Sequence, residues 1–369
     1  ANIRYNSLGE EVERTIGTIN IHTEYDFAGR IHQQKTKANE GLKRHKQYEW
    51  DINDKLYKIN DLLHHASTSF DYDKYDQLIQ QVTGTMQVEN FFRDEVGNIF
   101  KTKDKKDRKY SAGGKLLATK ENKYEYDEEG NLTRKETPKG DWLYEWAGNG
   151  MLRKVIRPDK KEVSFEYDAL GRRTAKIFHT AITRWLWDGN RPLHEWNYAL
   201  EDRPKTIINS AGMLEQDKAE PVTQLITWIF DEDTFKPAAK LAGGKTYSIL
   251  NDYMGTPCEA YDAAGERVWE CELGSFGATH HFTGEKNFVP FRYQGQYEDE
   301  ETGLYYNRFR YYAPEEGIYL SQDPIRLKGS NRFYSYVHDC NSWIDVFGLA
   351  PEGYIFNFPT NPKDLLNQG

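Results

Sequence analysis

The chain has 369 residues, with 49 Lys and Arg against 58 Asp and Glu, and a formal net charge of −9. This acidic balance argues against direct nucleic-acid binding, because nucleic-acid binders normally carry a basic surplus. The three cysteines are too scattered for a disulfide framework, and no CxxC or Cys/His ligand spacing occurs, so we expect no metal and no other cofactor.

The chain is rich in aromatic residues, with 25 Tyr, 18 Phe and 9 Trp. Aromatic side chains suit the half-buried, pleated surface of a β-sheet. No apolar run approaches the roughly 18 residues of a membrane-spanning helix. The first ten residues lack the apolar segment of a signal peptide. We therefore predict strands, with neither a signal peptide nor a transmembrane segment in this chain.

One phrase recurs along the first half: an aromatic residue, Asp, two residues, Gly, one residue and an apolar residue. With variations it occurs as YNSLGEEV at Tyr5, YDFAGRI at Tyr25, WDINDKL at Trp50, YDKYDQL at Tyr72, RDEVGNI at Arg93, YDEEGNL at Tyr126, WAGNGML at Trp146, YDALGRR at Tyr167 and WDGNRPL at Trp187. Most copies lie 20 to 25 residues apart. The long gap after Arg93 contains KTKDKKDRKYSAGGK, which we interpret as a charged, loop-like insertion.

Each copy predicts one β-hairpin, in which Asp and Gly form a tight turn between two alternating strands. Tandem hairpins predict one continuous antiparallel sheet that curls around a cavity, since large twisted sheets rarely stay flat. The repeat aromatics Tyr25, Tyr72, Tyr126 and Tyr167 should stack and bridge neighbouring hairpins. A propeller is the alternative, but its blades need about 40 residues and four strands, which is twice the unit found here.

The second half contains YSILNDYMGTPCEAYDAAGERVWE from Tyr247 and RYQGQYEDEETGLYYNRFRYY from Arg292 to Tyr312. Within the latter, GLYYNRFRYY alternates apolar and cationic positions, which predicts a strand with two unlike faces. The following PEEG predicts a turn, and IYLSQDP predicts a strand that ends at proline.

The repeat of residues 1–195 resembles the YD repeat of Rhs proteins, Tc-toxin C subunits and teneurins, and the block from Arg292 to Tyr312 resembles the end of the Rhs core. The resemblance implies an all-β fold: tandem hairpins forming a large spiralling β-sheet shell with a C-terminal plug that carries an autoprotease segment. It divides the chain into a YD-repeat shell (1–195), a variable shell segment (196–246), a core C-terminal region (247–349), and a linker or the start of a toxin domain (350–369).

Two acidic residues near the end, Asp323 in SQDPI and Asp345 in WIDVFGL, are taken alone more often turn or cap residues. The resemblance implies another role. Rhs and Tc C-subunit cores cut their own chain after the Leu of a D-P-x-G-L motif, and their two catalytic aspartates match these two positions. The implied cleavage site is Gly348, Leu349 and Ala350, with the Leu349–Ala350 bond cut.

Such a cut needs one ionised carboxylate to activate water and one protonated carboxyl to polarise the carbonyl, a division that two neighbouring carboxyls adopt because both cannot ionise cheaply. Gly348 would let the backbone bend into the site. The sequence departs from the family pattern at Val346, where the motif has Pro, at Arg326, where Gly is usual, and at Asp339-Cys340, where Asn-Pro is usual. Gln322 stands where Tc C subunits carry Arg.

The function implied is a toxin shell that encloses its own C-terminal toxin domain and releases it by a single self-cleavage, in interbacterial competition or insecticidal delivery. The expected partners are that toxin domain, its cognate immunity protein and, through regions outside this chain, a secretion spike and a chaperone. The expected location is secreted or delivered into a target cell. The alternative from another class is a YD-repeat adhesion or carbohydrate-binding shell without proteolysis.

Overall fold

A computed structural model of the chain describes residues 1–84, 87–326, 332–349 and 351–353. These residues form antiparallel strands joined by tight turns, with short 3-10 turns at Leu200–Asp202 and Lys286–Phe288. The all-β prediction is therefore confirmed. No helix in the described part of the chain is long and apolar enough to cross a membrane.

The first shell sheet has nine strands that pair in chain order. They are β1 (Asn2–Tyr5), β2 (Glu11–Ile16), β3 (Ile19–Tyr25), β4 (Ile31–Ala38), β5 (Gly41–Trp50), β6 (Leu56–Asp61), β7 (Ala66–Tyr72), β8 (Leu78–Thr83) and β9 (Gln87–Asn90). A separate small hairpin follows, formed by β10 (Phe92–Arg93) and β11 (Ile99–Phe100).

The second shell sheet has sixteen strands, also paired in chain order. They are β12 (Arg108–Tyr110), β13 (Leu116–Thr119), β14 (Lys123–Tyr126), β15 (Leu132–Thr137), β16 (Gly140–Trp146), β17 (Leu152–Ile156), β18 (Glu162–Tyr167), β19 (Arg173–Phe178), β20 (Ala181–Asp188), β21 (Arg191–Ala199), β24 (Thr223–Phe230), β25 (Pro237–Ala242), β26 (Lys245–Asn251), β27 (Pro257–Tyr261), β28 (Arg267–Leu273) and β29 (Thr279–Thr283). An exposed hairpin of β22 (Thr206–Ile208) and β23 (Leu214–Gln216) is inserted between β21 and β24.

The plug, defined here as residues 290–349, contains a third sheet of four short strands. They are β30 (Tyr297–Asp299), β31 (Leu304–Asn307), β32 (Arg310–Ala313) and β33 (Ile318–Tyr319). Near the end, β34 (Trp343–Ile344) pairs with β35 (Glu352–Gly353), so the chain turns back on itself across the predicted cleavage site. The domain boundaries stay predictions, and the second sheet continues past residue 195.

The repeat turns form as the Asp and Gly positions predict. In the copy at Tyr167, Asp168 Oδ1 accepts hydrogen bonds from the N–H groups of Leu170 and Arg172, at 2.9 and 2.8 Å. Gly171 has φ +73°, a left-handed conformation that glycine adopts without steric cost. Its N–H donates to the Asp168 carbonyl at 2.9 Å, which closes the turn.

The repeat aromatics bridge neighbouring hairpins by hydrogen bonds, and the rings of Tyr126 and Tyr167 pack against Tyr334 and Tyr306 of the plug. Each side-chain donor reaches the backbone carbonyl at the start of the preceding hairpin's return strand: Tyr25 to Glu11, Trp50 to Ile31, Tyr72 to Leu56, Trp146 to Leu132, Tyr167 to Leu152 and Trp187 to Arg173, at 2.6 to 2.9 Å. Arg93, which replaces the aromatic in its copy, donates to the equivalent carbonyl of Leu78. Most copies therefore carry a long side chain with a terminal donor at this position, which Tyr, Trp and Arg all provide. Tyr126 is an exception, because its buried hydroxyl has no hydrogen-bond partner among the described residues.

The segment after Arg93, which the sequence predicted to be a loop-like insertion, is only partly a loop, so that prediction is corrected. Its second part, around Tyr110, forms the hairpin β12–β13 and follows the repeat rule, since Tyr110 donates to the Ile99 carbonyl at 2.7 Å. The sequence pattern concealed this copy because Ser111 replaces the turn Asp; its hydroxyl accepts the Lys115 N–H at 3.1 Å.

The prediction of one continuous sheet is wrong, because the shell is divided into two sheets between β9 and β12. The copy at Arg93 forms only the two-residue strands β10 and β11, which pair with each other alone. The segment after them closes on itself, as Asp107 accepts the N–H groups of Lys101 and Thr102. The ladder is therefore interrupted at the shortest hairpin.

The plug lies between the two shell sheets, and its strands are buried on both faces. Tyr305 and Tyr312 pack into a core cluster that contains Tyr48 and Phe70 of the first sheet and Phe276 from a turn of the second. The alternate residues Tyr306 and Tyr311 pack into a second cluster with Tyr144, Phe165 and other residues of the second sheet. This double burial explains the density of aromatic residues from Arg292 to Tyr312.

Candidate functional site

The candidate site lies in the plug, where three strand segments meet. Arg310 lies at the start of β32, and Tyr319 ends β33. Asp323 follows β33 by four residues, and Asp345 comes directly after β34. The four-stranded sheet and the returning chain thus bring the two predicted aspartates to one place.

Arg310 joins the two aspartates. Its Nη2 lies 3.2 Å from Asp323 Oδ2 and 3.2 Å from Asp345 Oδ2. The three residues are 2%, 3% and 0% exposed, respectively. Two carboxyl groups therefore share one guanidinium nitrogen away from solvent, where charge interactions are stronger than in water.

Asp345 accepts hydrogen bonds with both carboxylate oxygens. Oδ2 accepts from Tyr319 Oη at 2.8 Å and from Arg310 Nη2, and Oδ1 accepts from the Leu349 N–H at 2.9 Å. Asn307 Nδ2 donates to the Asp345 carbonyl and to Tyr319 Oη, at 2.8 Å each. Because every partner of the carboxylate donates, the arrangement suits an ionised Asp345.

Asp323 has a different environment. Burial raises the pKa of the Asp323 carboxyl above its usual range, and the nearby Asp345 adds to the rise. Arg310 and the Ile325 N–H, which donates to Oδ1 at 2.9 Å, lower the pKa without cancelling the effect of burial. Asp323 thus lies in surroundings that raise its pKa, which a carboxyl that gives a proton requires.

The segment before Leu349 approaches the plug closely. Gly348 has φ +65°, and a Cβ at this position would lie 2.6 Å from the Asn307 carbonyl. Its carbonyl accepts a hydrogen bond from Arg310 Nε. The predicted bend at Gly348 is therefore present, and Arg310 contacts both the carboxylates and the backbone adjoining Leu349.

The structure also shows the surroundings of Val346 and of Leu349 at the predicted scissile bond. Val346, which stands where the family motif has Pro, is buried in the core cluster that also contains Tyr48 and Phe276. Its carbonyl lies so close to Gly295 that a Cβ there would overlap it. Leu349 is half-buried. Ala350, the other side of the predicted scissile bond, lies outside the described residues.

Sequence analysis missed three members of the site: Asn307, Arg310 and Tyr319. The alternation in GLYYNRFRYY predicted a strand with one cationic face, which would normally be solvated. The segment instead forms the two short strands β31 and β32 joined by a turn at Arg308 and Phe309, which corrects the single-strand prediction, and Arg308 and Arg310 are both buried. The signal available in the sequence was arginine within a run of aromatics too dense for an exposed strand. Among the described residues, no group of three or more His, Cys, Asp or Glu is arranged to hold a metal ion.

Chemically, the site offers an acceptor-only carboxylate, a carboxyl with a raised pKa and a fixed cation, all beside one peptide segment. This set can activate water, protonate a carbonyl oxygen and limit the net charge of the buried group. The peptide segment that lies beside these groups, Gly348 and Leu349, belongs to the same chain.

Comparison with known families and proteins gives a consistent result. The model of the Teneurin YD-shell family matches residues 4–341. Double-stranded DNA deaminase toxin A of Burkholderia cenocepacia is 30% identical over 381 residues, which cover 95% of this chain and 26% of that protein. Probable deoxyribonuclease RhsA of Dickeya dadantii is 29% identical over 252 residues, covering 64% of this chain and 16% of that protein.

Among solved structures, the Tc holotoxin pore of Photorhabdus luminescens superposes with a TM-score of 0.60 at 16% identity, covering 95% of this chain and 19% of that chain. At this identity the similarity concerns the fold alone. This chain spans about a quarter or less of the length of these two relatives.

Proposed function

This chain belongs to the family of Rhs and teneurin-type YD-shell proteins, and on that premise we propose that it is part of a shell that encloses a toxin and cuts its own backbone after Leu349. Two relatives share this region although their names state different activities, a DNA deaminase toxin and a probable deoxyribonuclease. A region shared by toxins with different activities is more consistent with the shell than with the enclosed toxin domain, which is the cargo. The cargo of this chain would be the domain that continues after residue 349.

One observation carries the proposed cleavage: Asp323 and Asp345 share Arg310 in a buried site, and Asp345 holds the N–H of Leu349. A purely structural ion pair would need one carboxylate for one arginine. Burying a second carboxyl costs desolvation free energy, and packing alone gives no reason for that cost. A pair of carboxyls that shares one proton does need the second carboxyl.

The roles follow from the surroundings of each group. Asp345, whose partners all donate, takes a proton from water, and the resulting hydroxide attacks the Leu349 carbonyl carbon. Asp323 gives its proton to the carbonyl oxygen. As the intermediate collapses, Asp345 gives the proton it took from water to the Ala350 nitrogen and the C–N bond breaks. A hydroxyl proton of the intermediate returns to Asp323, which leaves a carboxyl group on Leu349 and an amine on Ala350. Arg310 limits the negative charge of the buried pair throughout.

The test is to express the full natural polypeptide in wild-type form and with Asp345→Asn, Asp323→Asn or Asp339→Asn, and to resolve fragments by denaturing gel and mass spectrometry. Wild type should yield a fragment that begins at Ala350, and Asp345→Asn and Asp323→Asn should stay whole. Asparagine keeps the volume of aspartate but can neither accept nor give the catalytic proton. The two losses should be non-additive, because the residues act as a unit.

Asp339 is the matched control. It is also fully buried and lies six residues before Asp345, but it accepts hydrogen bonds from Asn341 and Ser342 and has no contact with Arg310. Asp339→Asn should therefore be cut like wild type. If both site variants still release a fragment beginning at Ala350, the assignment is wrong. If wild type stays whole, the shell functions without proteolysis, as the adhesion or carbohydrate-binding alternative requires.

We extend the proposal to delivery. A protein of this kind would be secreted or delivered into a target cell. It would serve in interbacterial competition or in insecticidal delivery. A secretion spike and a chaperone would contact regions outside this chain, and an immunity protein would neutralise the released toxin in the producing cell.

A further inference from the structure

One turn of the shell sits directly on the loop that carries Asp323. This is the repeat turn of the hairpin β14–β15, residues 127–130. Leu132, at the start of β15, donates its N–H to the Leu320 carbonyl at 2.8 Å, so the shell strand is bonded to the chain just before Asp323. The ring of Tyr126 packs edge-on against Tyr334 of the plug, with ring centroids 5.7 Å apart.

Gly130 is the closest point of this contact. Its carbonyl accepts a hydrogen bond from Tyr334 Oη at 2.8 Å. A Cβ at Gly130 would overlap Gln322 Nε2 and would lie 2.6 Å from Tyr334 Oη. Gln322 is the residue before Asp323, so the turn contacts the residue that precedes the proposed catalytic acid.

Tyr334 continues the connection into the site. Its carbonyl accepts the Tyr319 N–H at 2.8 Å, and the carbonyl of the preceding Phe333 accepts the Asp323 N–H at 3.0 Å. The Phe333 carbonyl also accepts a hydrogen bond from Arg310 Nη1 at 3.1 Å. One short segment of the plug, pinned by a shell turn, therefore holds the backbone of the acid and its guanidinium partner.

We propose that the shell turn 127–130 is a positioning element of the autoprotease, so that the Asp323–Arg310–Asp345 site reaches its cleaving geometry only when this hairpin is docked on the plug. The inference rests on the proposed function. Gly130, Gln322 and Tyr334 act through Asp323 and Arg310, and none of them takes part in the chemistry. Cleavage would consequently depend on closure of this part of the shell.

The chain provides a matched pair of glycines for the test. Gly130 and Gly150 occupy the same position in adjacent repeat turns, at φ +87° and +79°, and each donates its N–H to the first residue of its turn. A Cβ at Gly150 would meet nothing within 4 Å, in contrast to Gly130. Gly130→Ala and Gly150→Ala therefore impose the same backbone strain, but only the first displaces Gln322 and Tyr334.

The experiment follows cleavage over time in cell-free translation of the full natural polypeptide. Gly130→Ala should slow the cut by about a hundredfold, the effect of displacing a reacting group by about 1 Å, and Gly150→Ala should leave the rate unchanged. Adding Gln322→Ala to Gly130→Ala removes the overlapping amide and should restore much of the rate. Melting temperatures of both glycine variants are compared in an Asp345→Asn background, where the chain stays whole.

The outcomes separate this inference from the proposed function. If wild type is not cut at all, the proposed function fails. If wild type is cut and Gly130→Ala is cut at the rate of Gly150→Ala, the positioning inference fails alone. It also fails if Gly130→Ala melts far below Gly150→Ala and Gln322→Ala restores nothing, because the loss is then one of folding.

Discussion

At the scale of single residues, Arg310 determines the charge of the candidate site. With both Asp323 and Asp345 ionised, the buried group would carry a net negative charge, which is costly away from water. With one proton on Asp323 the group of three is neutral. Burial therefore favours a state with one acid and one base, because the single charge of Arg310 balances only one carboxylate, and this is the division that proteolysis by a carboxyl pair needs.

The pH dependence of cleavage should follow from the raised pKa of Asp323. Burial keeps this carboxyl protonated to a higher pH than a free aspartate, and its proton is the one the mechanism uses. The cleavage rate should therefore fall as pH rises through that pKa, by about tenfold per pH unit above it. The measurement is the rate of fragment formation in cell-free translation buffered across the neutral range.

A rate that stays level or rises with pH would assign the acid role to another group. The melting temperature of the Asp345→Asn chain, followed over the same pH range, is the control for effects of pH on folding.

Only part of the site could be predicted from the sequence. Asp323, Asp345 and Gly348 were identified because they match a motif that is local in sequence. Arg310 and Tyr319 could not be identified in this way, because their role depends on β32 and β33 being covered on both faces. Which face of a strand is solvated is decided by elements far away in the chain, here the two shell sheets.

At the scale of the hairpin, the repeat is defined by hydrogen-bonding capacity. The side chain at the aromatic position reaches a backbone carbonyl of the preceding hairpin and ties consecutive units together. The spacing of the phrase predicted the hairpins because turn chemistry is local. It did not predict the copy at Tyr110, where Ser111 performs the task of the turn Asp.

Removing one such donor should weaken the shell measurably. Tyr25→Phe keeps the ring and deletes the hydrogen bond from the hydroxyl to the Glu11 carbonyl, 2.9 Å long. We expect a loss of about 1 kcal/mol in the free energy of unfolding. It is measured by urea unfolding in the Asp345→Asn background, where the chain stays whole.

Tyr48→Phe is the matched control, because the Tyr48 hydroxyl is buried and has no hydrogen-bond partner among the described residues. Its removal should leave the unfolding free energy unchanged or raise it, since a buried unpaired hydroxyl is unfavourable. Equal effects of the two substitutions would mean that the ring alone matters at the repeat position.

At the scale of the whole molecule, the plug depends on contacts between distant parts of the chain. Asn341 Nδ2 donates to Tyr72 Oη across 269 residues, and Arg173 pairs with Asp299 across 126. The all-β class was predictable from composition and repeats. The division into two sheets with the plug between them was not, because no local pattern encodes which sheet a plug residue faces.

This architecture predicts that cleavage occurs only within one chain. The segment before Leu349 is bonded to Arg310 and Asp345 inside the plug, and Asp345 is 0% exposed, so the strand of another molecule cannot reach the carboxyl pair. The cleavage rate should be independent of protein concentration, as expected for a tethered substrate at high effective molarity. A size-tagged Asp345→Asn chain mixed with wild type should remain whole while wild type is cut. A protease that cuts other molecules would instead cut faster as the protein concentration rises. Appearance of the tagged fragment beginning at Ala350 would show that the plug opens to a second molecule, and the enclosed-site mechanism would then be wrong.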